Sequence, residues 1–133
     1  MKWIGLLFLT FLFSAETFAQ RVSSTHFFYF ESSSARLSSW EEKNLKEVCD
    51  TLKQFSVISI SVAGHTDDTN TEEENLILSE ERAKYVKEIL MKNNISASKI
   101  TLVAMGETNP LELNTTEKGK ARNRRVEVKV VYE

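Results

Sequence analysis

The chain has 133 residues, 41% of them hydrophobic and 27% charged, with four glycines and a single proline. This is the profile of one ordinary globular domain, and it excludes a disordered or low-complexity polymer. The formal charge of −2 argues against nucleic-acid binding, which calls for a basic excess.

The first residues read as an export leader. Lys2 supplies a positive end and Trp3 to Phe13 is almost wholly apolar. Thr17-Phe18-Ala19 then offers small residues where a signal peptidase cuts, with Gln20 as the first mature residue. The rival reading is an uncleaved anchor. Against it, Met1 to Ala15 is short for a hydrocarbon layer of roughly 30 Å, and Glu16 closes the run. No cysteine ends the apolar stretch, so lipid attachment is not expected. The lone Cys49 can form no internal disulfide and is expected inside the core as a small apolar side chain. Residues 1–19 are therefore assigned to the leader and 20–133 to one exported, periplasmic domain. Any hold on the outer membrane would come through a partner.

In the mature chain, His26 to Phe30 is short and aromatic, a first strand. Leu45, Val48, Leu52 and Phe55 recur at spacings of three and four, which predicts a helix over 38–55. Ser38 or Ser39 caps it, and Glu41 and Glu42 sit where the helix dipole favours anions. Val57 to Ala63 alternates, with Ile58, Ile60 and Val62 on one side. A second helix opens at Thr71, whose Thr-x-x-Glu pattern with Glu74 is a capping box. Its core stripe is Leu76, Ser79, Ala83, Val86 and Leu90, and Asn93-Asn94 ends it. Ile100 to Met105 is a third strand, 106–114 a loop and 116–122 a short helical turn. Arg125 to Tyr132 is the last strand, alternating Val126, Val128 and Val130 with more polar positions. The order βαβαββ predicts an α/β (α+β) two-layer sandwich, a mixed sheet with the helices packed on one face. The other face meets water.

The chemistry concentrates between Gly64 and Arg82. An apolar strand runs into Gly64-His65-Thr66-Asp67, and the next helix carries Asn75, Leu78, Arg82, Tyr85 and Ile89 in a second stripe. An acid at the strand end and a base on the adjoining helix suit a small zwitterion: an ammonium for Asp67 and a carboxylate for the planar fork of Arg82. Thr66, Thr69 and the N–H groups of the helix start could hold further ligand oxygens. The plain alternative is a structural Asp67–Arg82 salt bridge. Asp67, Asp68, Asn70 and Glu72 lack calcium-loop spacing, and His65 stands alone, so no metal is expected. Nor is there a nucleophile elbow or a Ser/His/Asp set, so neither an enzyme nor a cofactor is expected. The basic run from Lys118 to Arg125 reads as a solvated turn and strand edge.

Gly64-His65-Thr66-Asp67, then Asn75-x-x-Leu78-Ser79-x-x-Arg82-Ala83, then Gly106-Glu107-x-x-Pro110, Asn114 and Asn123-Arg124-Arg125-Val126-Glu127, stand in a telling order and spacing. In these motifs the chain resembles the OmpA C-terminal-like domains, the peptidoglycan-associated modules also found in Pal lipoproteins and MotB stator proteins. The likeness covers about 26–132. It implies non-covalent binding of peptidoglycan through the diaminopimelate residue of the stem peptide, with Asp67 and Arg82 as its charged clamp. It also implies that Glu31, Thr66, Asn75 and Leu78 fall on positions lining the same pocket. Asn123 and Arg125 match a motif near the site, one of the two touching ligand and the other holding the loop. Asn70 stands where the family often has glycine, and Asn tolerates the left-handed backbone such a place can require. Glu31 replaces a commoner Asp, and Glu74 stands where an aromatic often precedes the helix Asn.

Because diaminopimelate differs from lysine by one carboxylate, an Arg82 built to receive it would be stranded by a lysine-type stem. The resulting preference would be about 10- to 1,000-fold, and Arg82→Ala is expected to harm binding more than folding. The alternative is an envelope adaptor of the same fold whose pocket holds no stem peptide, marked by an exposed apolar patch around Trp40 or the first strand.

Overall fold

The computed structural model describes residues 21–133; the leader and cleavage site expected at 1–19 lie outside the described residues. Strands β1 (Ser23–Tyr29), β2 (Val57–Gly64), β3 (Ile100–Ala104) and β4 (Arg125–Tyr132) form one sheet in the order β1-β4-β2-β3. Helices α1 (Ser39–Leu52), α2 (Glu72–Lys92) and the short α3 (Glu117–Asn123) alternate with them. The last strand is antiparallel to both of its neighbours, whereas β2 and β3 run parallel, so the sheet is mixed as expected. A 3₁₀ turn at Ala97–Lys99, which has no signature in the apolar pattern, leads into β3.

Alternation along the strands builds the core. Val126, Val128 and Val130 of β4, Ile60 and Val62 of β2 and Phe28 of β1 turn to one side of the sheet. There they meet Leu45, Cys49 and Leu52 of α1 and Ala83, Val86 and Leu90 of α2. Each Val, Leu, Ile or Phe side chain removed from water here contributes roughly 1.5–3 kcal/mol, which is what holds both long helices to that face. The helix starts follow the sequence signals. Ser38 Oγ accepts from the Glu41 N–H at 3.3 Å. Thr71 Oγ1 accepts from the Glu74 N–H at 3.2 Å while Glu74 Oε2 accepts from the Thr71 N–H at 3.1 Å. The reciprocal pair is the capping box, and a cap of this kind contributes about 1 kcal/mol.

Three expectations change. Helix α1 ends at Leu52, so Phe55 lies in the following turn, largely exposed and edge-on to Tyr132 with ring centroids 5.6 Å apart. A register shift between Val57 and Ser59 turns Ile58 toward water, leaving Ile60 and Val62 as the inward residues of β2. Leu76 is half exposed and Asn75 takes the inward place instead. The loop after β3 crosses the first turn of α2 there, so closely that a Cβ on Gly106 would stand 3.4 Å from the Leu76 nitrogen. Left-handed backbone occurs at Ser33, Asn94 and Gly106 among the described residues; Asn70 does not adopt it.

One glycine sets the site. A Cβ at Gly64 would fall 1.9 Å from the Ser79 carbonyl oxygen. Helix α2 thus lies against the very end of β2, and its polar flank hangs over the residues that follow Gly64.

Candidate functional site

Asp67 ends the extension of β2 and is 5% exposed. Its carboxylate accepts from the Thr69 N–H at 3.0 Å through Oδ1 and from Arg124 Nη1 at 3.1 Å through Oδ2. Burial alone would raise the pKa of this acid. The Thr69 bonds and the positive Arg124 outweigh burial and hold it below the ordinary carboxylate value. Arg124, at the C-cap of α3, also donates through Nε to the Phe30 carbonyl at 3.0 Å, and Phe30 N–H returns a bond to the Arg124 carbonyl at 2.9 Å. The end of β1 and the start of β4 are stitched together beside the acid.

Arg82 is fully buried. Its guanidinium donates through Nε to the Ser34 carbonyl at 2.8 Å, through Nη1 to the His65 carbonyl at 2.9 Å and through Nη2 to the Glu31 carbonyl at 3.1 Å. Its Cζ lies 5.1 Å from the centroid of the Phe30 ring, over the ring face. Burial lowers its pKa to about 10; nearby Asp67 opposes that shift and Arg124 adds to it, so the group is charged at neutral pH. The simple Asp67–Arg82 salt bridge weighed from the sequence is not what forms: the acid's ion-pair partner is Arg124. Asp67 nonetheless lies close enough for its charge to act on Arg82.

Around this pair the polar residues divide into two groups. Asn75, Thr66 and the β3–α3 loop form the first. Asn75 Nδ2 donates to the Asn70 carbonyl at 3.1 Å and to Glu107 Oε2 at 2.6 Å, and the Thr66 N–H donates to the Gly106 carbonyl at 2.9 Å. Asn75 Oδ1, Thr66 Oγ1 and both ring nitrogens of His65 are buried with no hydrogen-bond partner in the chain. Orphaned buried polar atoms are uncommon, and here four fall within one strand end and one helix turn. His65 lies 3.8 Å from Glu127. Burial and the adjacent Arg125 push its pKa down to about 4 against the opposing pull of Glu127.

Asn123 and Arg125 form the second group, and both grip the loop. Asn123 Oδ1 accepts from the N–H groups of Leu111 (2.7 Å) and Glu112 (3.1 Å). Its Nδ2 donates to the Glu112 carbonyl at 2.7 Å and to Asn114 Oδ1 at 2.8 Å. Arg125 donates to Glu127 Oε1 at 2.9 Å and to the Asn109 carbonyl at 3.0 Å. Glu31 has its carbonyl on Arg82 and its side chain exposed, and Leu78 is partly buried. Arg124 is the residue that composition and spacing passed over. Its signal was the Arg124-Arg125 doublet at a helix-to-strand junction, where successive side chains diverge. Among the described residues no group of three or more His, Cys, Asp or Glu could hold a metal, and no helix is long and apolar enough to cross a membrane. Burial raises the Cys49 thiol to about 11, which leaves it inert.

A two-layer sandwich with a buried acid and a buried arginine at one strand end defines a small binding module. The OmpA family matches residues 29–124, and the chain belongs to it. Outer membrane porin F of Pseudomonas fluorescens is 41% identical over 87 residues, which are 65% of this chain and 27% of the porin. Peptidoglycan-binding protein ArfA of Mycobacterium tuberculosis is 38% identical over 86 residues, 65% of this chain and 26% of that protein. The chain thus spans about a quarter of the length of these two curated relatives. Among solved structures, the cell wall anchor of the T6SS from Pseudomonas aeruginosa superposes with a TM-score of 0.74 at 29% identity, covering 84% of this chain and 82% of that one.

Proposed function

We propose that the protein binds peptidoglycan non-covalently, taking the diaminopimelate end of the stem peptide between Asp67 and Arg82, and so ties its envelope partners to the cell wall in the periplasm. The observation that carries this reading is the unused bonding capacity of two buried, opposite charges. Arg82 has five N–H donors, and three contacts to carbonyl oxygens engage only part of them. Asp67 accepts from Thr69 and Arg124, which leaves part of the roughly four acceptor positions of a carboxylate unused. The orphaned Thr66 Oγ1 and Asn75 Oδ1 lie beside them. Diaminopimelate brings what is missing: an ammonium for the acid and the acceptors, and a carboxylate for the spare donors. Relatives whose names describe peptidoglycan binding support the same polymer as partner.

Co-sedimentation with purified sacculi tests this. The protein should pellet with diaminopimelate-type sacculi and much less with lysine-type sacculi. Asp67→Asn, nearly isosteric, should stay in the supernatant while keeping a wild-type circular dichroism spectrum. If the wild-type protein ignores both sacculi, the clamp reading fails and Trp40, largely exposed on α1, becomes the first place to look for a protein contact.

A further inference from the structure

Next to the clamp, with Arg124 in its wall, the surface opens into a groove. Two adjoining hollows share Tyr29 and Ala121. The smaller, of about 170 Å³, is lined also by Glu31, Trp40, Glu41 and Arg124. The larger, of about 390 Å³, is flanked by Lys118 and Arg122. We propose that this groove is a sugar subsite, seating the muramyl ring that carries the stem peptide, with Trp40 and Tyr29 as its flat walls. The inference rests on the peptidoglycan reading above.

Continuity comes first: Arg124 holds Asp67 with one nitrogen and also lines the groove. A ligand anchored at Asp67 therefore has the groove within reach, across a single arginine. Two residues separate diaminopimelate from the sugar's lactyl group, an extended reach of roughly 7 Å. The lining chemistry comes second. A pyranose offers an apolar C–H face and a rim of hydroxyls. An aromatic ring takes the face, and carboxylates and a guanidinium take the rim through charge-assisted hydrogen bonds. The groove supplies both kinds of wall, in Trp40 and Tyr29 and in Glu31, Glu41 and Arg124. Trp40 is 68% exposed, and no other exposed large hydrophobic lines either hollow. A protein interface would want a contiguous apolar patch, whereas a lone indole among charges suits a sugar. Lys118 and Arg122 add positive charge that complements the acidic stem.

Isothermal titration with two ligands separates this inference from the reading beneath it. One is the free diaminopimelate-type tripeptide; the other is the same tripeptide on its disaccharide. The wild-type protein should bind the disaccharide form about tenfold more tightly. Trp40→Ala should erase that ratio and leave free-tripeptide affinity unchanged, while Trp40→Phe should keep part of it. In a Trp3→Phe background, where Trp40 is the sole tryptophan, its emission should shift with the disaccharide ligand and not with the tripeptide. Equal affinity for the two ligands, or a ratio unaltered in Trp40→Ala, overturns the subsite while leaving the clamp standing. Failure of both ligands to bind overturns the clamp and the subsite together. Concentration-dependent self-association that Trp40→Ala abolishes would assign the indole to a protein contact and overturn the sugar assignment.

Discussion

Arg124 Nη1 stands 3.1 Å from Asp67 Oδ2, so the acid at the strand end is held by the helix-to-strand junction and not by the arginine of α2. That arrangement leaves Arg82 to support backbone: three carbonyl oxygens from the segment after β1 and the end of β2 close on its guanidinium.

Arg82→Ala is accordingly a folding mutation as well as a binding one, which revises the expectation drawn from the sequence. Removing the guanidinium strands those carbonyl oxygens and leaves Asp67 with less positive charge nearby. A loss of about 2–4 kcal/mol in unfolding free energy is expected. Urea denaturation of Arg82→Ala and Arg82→Lys measures it; Lys should recover part of the charge and little of the three-way grip.

His65 gives the domain a pH dependence in a definable window. Its folded pKa of about 4 lies below the ordinary 6.5, so the unfolded chain takes up the proton first. Stability from this residue is complete above pH 6.5, drains away as pH falls toward 4, and changes little below that. The drop is on the order of 3 kcal/mol. Asp67, whose folded pKa is depressed, contributes stability that is lost at lower pH still, below its ordinary 3.8. Urea midpoints at pH 7 and pH 4.5 should differ markedly in the wild-type protein and converge in His65→Gln.

Gly64→Ala should abolish the native fold. The added methyl would sit 1.9 Å from the Ser79 carbonyl oxygen, a backbone atom that cannot swing aside. Moving α2 away would uncover Ala83, Val86 and Leu90, at several kcal/mol or more. Soluble yield and near-ultraviolet circular dichroism should both collapse, whereas the equally conservative Ala63→Gly should leave a folded protein.

Asn123→Ala should loosen the loop without unfolding the sheet. Four hydrogen bonds to 111–114 disappear, at a cost of roughly 2–3 kcal/mol. Hydrogen exchange should speed up at the Leu111 and Glu112 amides while β2 and β4 amides stay protected.

Much of this was legible in the sequence because it was written in local chemistry. The Thr71–Glu74 box and the Val126, Val128, Val130 alternation each specify their element within a few residues, and both stand as read. What escaped depends on neighbours distant in sequence. Leu76 loses the inward place to Asn75 because Gly106 and Glu107 arrive from thirty residues away. Ile58 turns outward because the pairing of Val57 with Tyr132 slips before Ser59. At the site, the residue types and their convergence could be read, but not the wiring. Nothing within one segment tells whether Asp67 pairs with Arg82 or Arg124, or that Asn123 and Arg125 both clamp the loop.

The strand order β1-β4-β2-β3 places the last strand of the domain inside the sheet, with a neighbour on each side. The domain therefore cannot assemble progressively from its N-terminus. Until the final eight residues of β4 are available, β1 has nothing to pair with, Asp67 lacks Arg124, and the loop lacks Asn123. Closure of the sheet must wait for β4, and a nick that removes that strand removes the middle of the sheet.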